Sequence, residues 1–178
     1  PSGEAGVRDW AGFPLLPGLG RIKPARFVLG LCCIAPYNKK SEGIMPALLA
    51  HIRLMADYNQ WINTRLYAAT AELPHDMLIQ DRGAFFRSVL GTLNHIMVGD
   101  RVWLSRFARH PARHASLELF RHTSAPQRVD VLIHDTLPAL AADRHQLDQT
   151  IVDWCTELQA DDLACPLPYR SLKGVPAV

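Results

Sequence analysis

One long run of helical periodicity dominates the middle of this chain. From Met45, the segment MPALLAHIRLMADYNQWINTRLYAATAEL places apolar side chains at Leu48, Ile52, Met55, Ile62, Leu66, Ala69 and Leu73. Steps of three, four and seven residues return to one side of an α-helix, so the spacing predicts a long amphipathic helix with these residues as its inner stripe. Pro46 suits the first turn, where its missing N–H is not needed. Pro74 ends the run, because the residue before a proline resists helical torsion angles. A second helix is expected after Asp81, with that residue as N-cap, through about Arg109. Its text, AFFRSVLGTLNHIMVGDRVWLSRF, is apolar on more than one side and reads as largely buried. A third helix opens at Thr136–Pro138 and runs to about Leu158, with Leu140, Leu147, Ile151, Trp154 and Leu158 inward and Arg144 interrupting them. The irregular stretch His110–His134 has room for a short helical piece. Gln159–Val178, with Pro166, Pro168, Gly174 and Pro176, reads as loop or at most a short extended hairpin. Nothing alternates with period two over a useful length. The fold class expected is all-α, an up-and-down bundle, and helices with such broad apolar faces pack most readily in fours.

The first 44 residues differ in kind. They hold seven of the eleven glycines and five prolines, and no period persists. Residues 1–44 are expected to be a disordered or non-native N-terminal extension, and 45–178 the bundle domain. Phe27–Ala35 resembles a secretion signal only superficially, since Lys39 and Lys40 follow where small cleavage-site residues belong. Net charge over the chain is +2, and the extension accounts for it, leaving the body nearly neutral. That balance offers no electrostatic footprint for nucleic acid. No apolar run approaches the ~20 residues of a membrane-spanning helix. Four cysteines without a CxxC spacing or a disulfide framework point to a reducing, cytoplasmic setting.

Among the histidines, His95 has the most unusual setting. Gly91 and Gly99 lie four residues to either side of it, on one face of the second helix. Glycine within a helix is unfavourable by roughly 1 kcal/mol relative to alanine, so two of them around one imidazole suggest space kept for a ligand, a metal ion or a closely packed helix. A core histidine between tightly packed glycines fits the pattern as well. His110 and His114 have metal-pair spacing, but with Pro111 between them and Arg109 and Arg113 beside them they read as solvated surface. His51 reads as surface on the first helix. His75 and His122 fall in loops, and His134 and His145 lie near the third helix without a clear partner. Asn59, Trp61 and Asn63 form a polar–aromatic cluster, with Asn59 expected to be buried and hydrogen-bonded. Asp100 is expected to pair with an arginine, and Trp103 and Trp154 to lie in the core. Gly18–Leu19–Gly20 is no dinucleotide loop; Walker, GxSxG and HExxH motifs are absent; and Cys155 and Cys165 have no placed base.

The segments YNQWINTRLYAATAEL and DRGAFFRSVLGTLNHIMVGDRVWLSRF, with LPALAADRHQLDQTIVDWCTEL and LPYRSLKG later, resemble the DinB family, the DinB/YfiT type of helical-bundle metalloenzyme. The resemblance covers nearly all of 45–174. It implies a four-helix bundle holding a divalent metal, zinc or nickel, through three histidines. His95, in GTLNHI, matches the histidine of the second helix, and the other two belong to an HxxxH motif on a fourth helix. The chain ends where that helix would begin, so the bundle is expected to lack it and the metal site to be incomplete. The implied chemistry is metal-dependent hydrolysis or thiol transfer on a small-molecule or thiol substrate, with no catalytic residue assigned and with this chain inactive by itself. An apolar groove left by the missing helix supports a second, non-catalytic expectation, a helical association module that forms a homodimer.

Overall fold

The computed structural model describes residues 44–178. The expected extension over 1–44 lies, Ile44 excepted, outside the described residues. Three long helices are present: α1 (Ile44–Ala71), α3 (Val89–Phe107) and α5 (Leu137–Glu157). Short pieces join them: α2 (His75–Ile79), a 3-10 turn (Ala115–Leu117) running into α4 (Glu118–His122), and α6 (Ala160–Ala164). A hairpin closes the chain, with β1 (Tyr169–Arg170) antiparallel to β2 (Pro176–Ala177) and Tyr169 opposite Ala177. The architecture is all-α as expected, and α6 is an addition to the expected loop-and-hairpin tail.

The helix ends show local chemistry at work. Thr136 precedes α5, and Pro138 occupies its first turn. The start of α3 differs from expectation, because Asp81 caps a turn and not a helix. Its Oδ1 accepts from the Gly83 N–H at 2.9 Å and its Oδ2 pairs with Arg87 at 2.9 Å. The chain doubles back there through left-handed residues at Gly83 and Arg87, and Ser88 then caps α3, its Oγ accepting from the Gly91 N–H at 3.0 Å. At the far end of α5, the Arg53 guanidinium of α1 donates to the carbonyls of Cys155 and Leu158, both at 3.2 Å. It thereby satisfies two acceptors that the helix end leaves without an intrahelical partner.

The core gathers Leu90, Leu93, Met97 and Leu104 of α3 with Leu140 and Leu147 of α5, Tyr67 of α1, Leu78, Leu117 and Phe120. Each such side chain stabilises the fold by about 1.5–3 kcal/mol when fully buried. A smaller cluster joins Ala56 to Cys155 and Leu158. Burial pushes the Cys155 thiol up to about 11, with Asp57 adding to the effect, so this cysteine stays protonated and inert. The ring of Tyr67 is also deep enough that burial raises its hydroxyl to about 12.

Two expectations about apolar positions are corrected. Leu48, Met55, Ile62, Leu66 and Ala69 of α1 are exposed, while Ala56, Asn63, Tyr67 and Thr70 are buried. At about 100° per residue, the buried side is rotated by nearly a quarter of the helix circumference from the apolar stripe. Trp103 is likewise exposed, lying beneath the Arg106 guanidinium at 4.5 Å and beside Tyr169, while Trp154 is half-buried against Phe107.

Polar contacts explain the rotation. Arg144 of α5 is 2% exposed and donates to Asp100 of α3 and Asp148 of α5, both at 2.5 Å. Asp148 Oδ1 also accepts from Asn59 and Asn63 of α1, at 3.0 and 2.9 Å. Burial works against the Arg144 charge, but its two carboxylates outweigh that effect and hold it protonated; burial raises the Asp148 carboxyl above its ordinary value. Removing one partner of such a pair leaves an uncompensated buried charge. Asp148→Ala is expected to lower stability by about 3–5 kcal/mol in urea denaturation, whereas the same change at exposed Asp153 should fall within about 0.5 kcal/mol.

Candidate metal centre

His95 sits in the middle of α3, in a setting built by its neighbours in sequence. Asn94, fully buried, uses its amide completely. Its Oδ1 accepts from the N–H groups of Ile133 and His134 at 2.7 and 3.0 Å, and its Nδ2 donates to the His134 and Leu90 carbonyls at 2.9 and 3.0 Å. This pins the 129–134 loop alongside α3, and His95 extends the attachment by donating from Nδ1 to the Val129 carbonyl at 2.8 Å. On one face the ring stacks against Phe86, with centroids 3.7 Å apart and planes 17° from parallel. A carbonyl can only accept, so the neutral ring carries its hydrogen on Nδ1 and keeps a lone pair on Nε2. Histidines that bind metals are oriented by such a second-shell acceptor.

The flanking glycines have different reasons. A Cβ on Gly91 would lie 2.2 Å from the Phe86 carbonyl oxygen, so this glycine admits the backbone of the turn that precedes α3. That is a packing role, not space held beside the imidazole. A Cβ on Gly99 would meet nothing within 4 Å.

Other candidates are redistributed. His134 has a partner after all, donating from Nε2 to Asp143 at 2.8 Å, and Arg101 binds the same carboxylate at 2.5 and 2.7 Å. His122 lies in α4 and contacts Glu118, not in a loop. His75 begins α2, and His51, His75 and His145 are exposed. Asp100 pairs with Arg144 as expected. The largest change concerns His110 and His114. They follow the end of α3 instead of sharing a helical face, and a left-handed turn at Arg113 brings their rings to 5.6 Å. His114 is 8% exposed, so this pair is not solvated surface. With Asp162 of α6, the two histidines form a group of potential metal ligands that sequence reading missed. Their partner comes from 48 residues further on, and the one available signal was the acidic first turn of α6. His95 belongs to no such group of three among the described residues.

The DinB family model matches residues 45–160, more than half of the chain and all three long helices. The chain is a member of the DinB family. No match is found among curated proteins or among solved structures. Among the described residues of this DinB protein, no helix is long and apolar enough to cross a membrane. The DinB family is metal-associated.

The two glycines provide a direct contrast. Gly91→Ala is expected to lower the melting temperature by several degrees, because a backbone carbonyl must move, and to disturb His95 through Phe86. Gly99→Ala is expected to stabilise the helix by about 1 kcal/mol, measured by the same thermal and urea unfolding.

Proposed function

We propose that this DinB protein presents His95 Nε2 as one ligand of a divalent-metal centre, zinc or nickel, serving metal-dependent hydrolysis or thiol transfer. The observation that carries this reading is the 2.8 Å bond from His95 Nδ1 to the Val129 carbonyl, which sets the tautomer a ligand needs while Phe86 restrains the ring. The described residues around His95 do not by themselves fit a finished centre. A catalytic zinc site uses three protein ligands, and here one imidazole is in place. No catalytic step is assigned, and residues 44–178 alone are expected to lack the activity. The hydrolase or thiol-transferase class rests on family resemblance, and the substrate would be a small molecule or a thiol.

Nitrogen-15 spectra of the histidine rings test the proposal. His95 should show a protonated Nδ1 and a bare Nε2, and its ring signals should broaden during nickel titration before those of exposed His51 and His75. Broadening of His95 no earlier than theirs, or a protonated Nε2, would remove it from the centre.

A second reading is favoured by the exposed stripe on α1. Leu48, Met55, Ile62 and Leu66 lie on one side of that helix with Tyr58 and Trp61 beside them, and Trp61 is 51% exposed. A patch of this kind marks an interaction surface. We infer that its occupant is a second copy of the chain, since a single apolar helix face can be self-complementary about a two-fold axis. Sedimentation should then show a dimer that Met55→Lys together with Ile62→Lys converts to a monomer. A monomeric parent protein at the same concentration would exclude the dimer.

A further inference from the structure

A second set of donors lies beyond the end of α3, far from His95. Twelve residues separate His95 from Phe107, the last residue of α3, which is about 18 Å of helix. There the chain turns through His110, Pro111, Ala112, Arg113 and His114, and α6 packs Asp162 against the turn. A ring nitrogen from each histidine and a carboxylate oxygen of Asp162 lie within 4.8 Å of one another. The Nε2 atoms of His110 and His114 are both buried and neither has a hydrogen-bond partner in the protein. Two orphaned imidazole nitrogens in one turn are unusual, because buried polar atoms almost always find a partner.

We propose that His110, His114 and Asp162 form a binding site for one divalent transition cation of the zinc type, which staples α6 to the turn after α3. This site is independent of the His95 centre and shares no residue with it.

The surroundings suit a cation better than the sequence suggested. Arg109 and Arg113 are exposed to solvent. Arg121 is occupied, donating to the carbonyls of Ala108 and His114 and pairing with Glu118. Two carboxylates face His114 instead. Asp162 Oδ2 is 3.7 Å from Nε2, and Glu157 Oε2 is 3.8 Å from Nδ1. Both are anchored, Asp162 by the Gln159 N–H at 2.8 Å and Glu157 by the Ser116 N–H at 3.0 Å. Glu157 thus stands on the Nδ1 side of the ring, and Nε2 is the nitrogen turned toward Asp162. Two imidazoles and one carboxylate select zinc-like ions over magnesium or calcium, which prefer oxygen alone. A hollow of about 380 Å³, lined by Arg109, His110, Pro111, Arg113 and Arg121 among others, opens beside the turn.

Loading requires a small adjustment. Zinc bonds of about 2.0–2.2 Å set tetrahedral ligand atoms roughly 3.4 Å apart, so the donors must draw together. The Ala112 N–H now donates to His110 Nδ1 at 3.2 Å, which keeps the neutral ring's proton on Nε2. Coordination through Nε2 moves that proton to Nδ1 and releases the Ala112 N–H. Ala112 is exposed, so water can take over the bond.

The experiment uses the full chain, stripped with chelator and titrated with cobalt(II), followed by visible absorption and by competition with a chromogenic chelator. One equivalent of cobalt should give a ligand-field band that zinc abolishes by displacement, and zinc should raise the melting temperature of the stripped protein. His95→Ala should retain both effects, which separates this site from the His95 centre. His110→Gln and Asp162→Asn, at half-exposed positions that leave helical circular dichroism unchanged, should lose both, as should His114→Ala. The proposal is overturned if these variants take up cobalt as the parent does. It is equally overturned if the parent shows no band and no zinc-dependent stabilisation.

Discussion

The arrangement of the long helices depends on one buried guanidinium. Arg144 stands among leucines on α5 and is enclosed by Asp100 of α3 and by Asp148, which in turn receives Asn59 and Asn63 from α1. Apolar packing alone would let these helices slide or rotate past one another with little change in buried area. A charge in a low-dielectric interior does not permit that, because each partner has one acceptable position. The network therefore supplies orientation and register, while Leu90, Leu93, Met97, Leu140 and Leu147 supply the bulk of the burial.

One consequence is visible on α1. Asn59 and Asn63 must face Asp148, and turning them inward carries Ala56, Tyr67 and Thr70 with them and leaves Leu48, Met55, Ile62 and Leu66 outside. The apolar stripe is therefore adjacent to the packed side, not coincident with it. A helix that carries two contact faces about a quarter-turn apart is suited to two neighbours, and α5 occupies one of them. On α3, the His95 ring is held between Phe86 and the Val129 carbonyl.

Much of the fold could be read in advance where one residue type has one physical meaning. Pro74 and Pro138 mark boundaries because proline lacks an N–H, and α1 and α5 begin and end within two residues of expectation. Asp81 and Ser88 show the limit. Both are good helix caps, and the choice between them depended on a turn with left-handed Arg87, a conformation that arginine does not advertise. His95 was singled out by its two glycines, although one of them proved to serve the Phe86 backbone. His110 and His114 were misread for a comparable reason. Their arginine neighbours are adjacent in sequence, whereas the carboxylates that face His114 arrive from Glu157 and Asp162.

By itself, then, the order of residues determined the helical class and the extents of α1 and α5, since these follow from periodicity and backbone chemistry. Only the tertiary structure decided which side of α1 is inside, where Arg144 finds its counter-charges and which acidic residues meet His114. Those outcomes rest on contacts between segments distant along the chain, and the free energy of a buried polar group depends on where its partners lie in space.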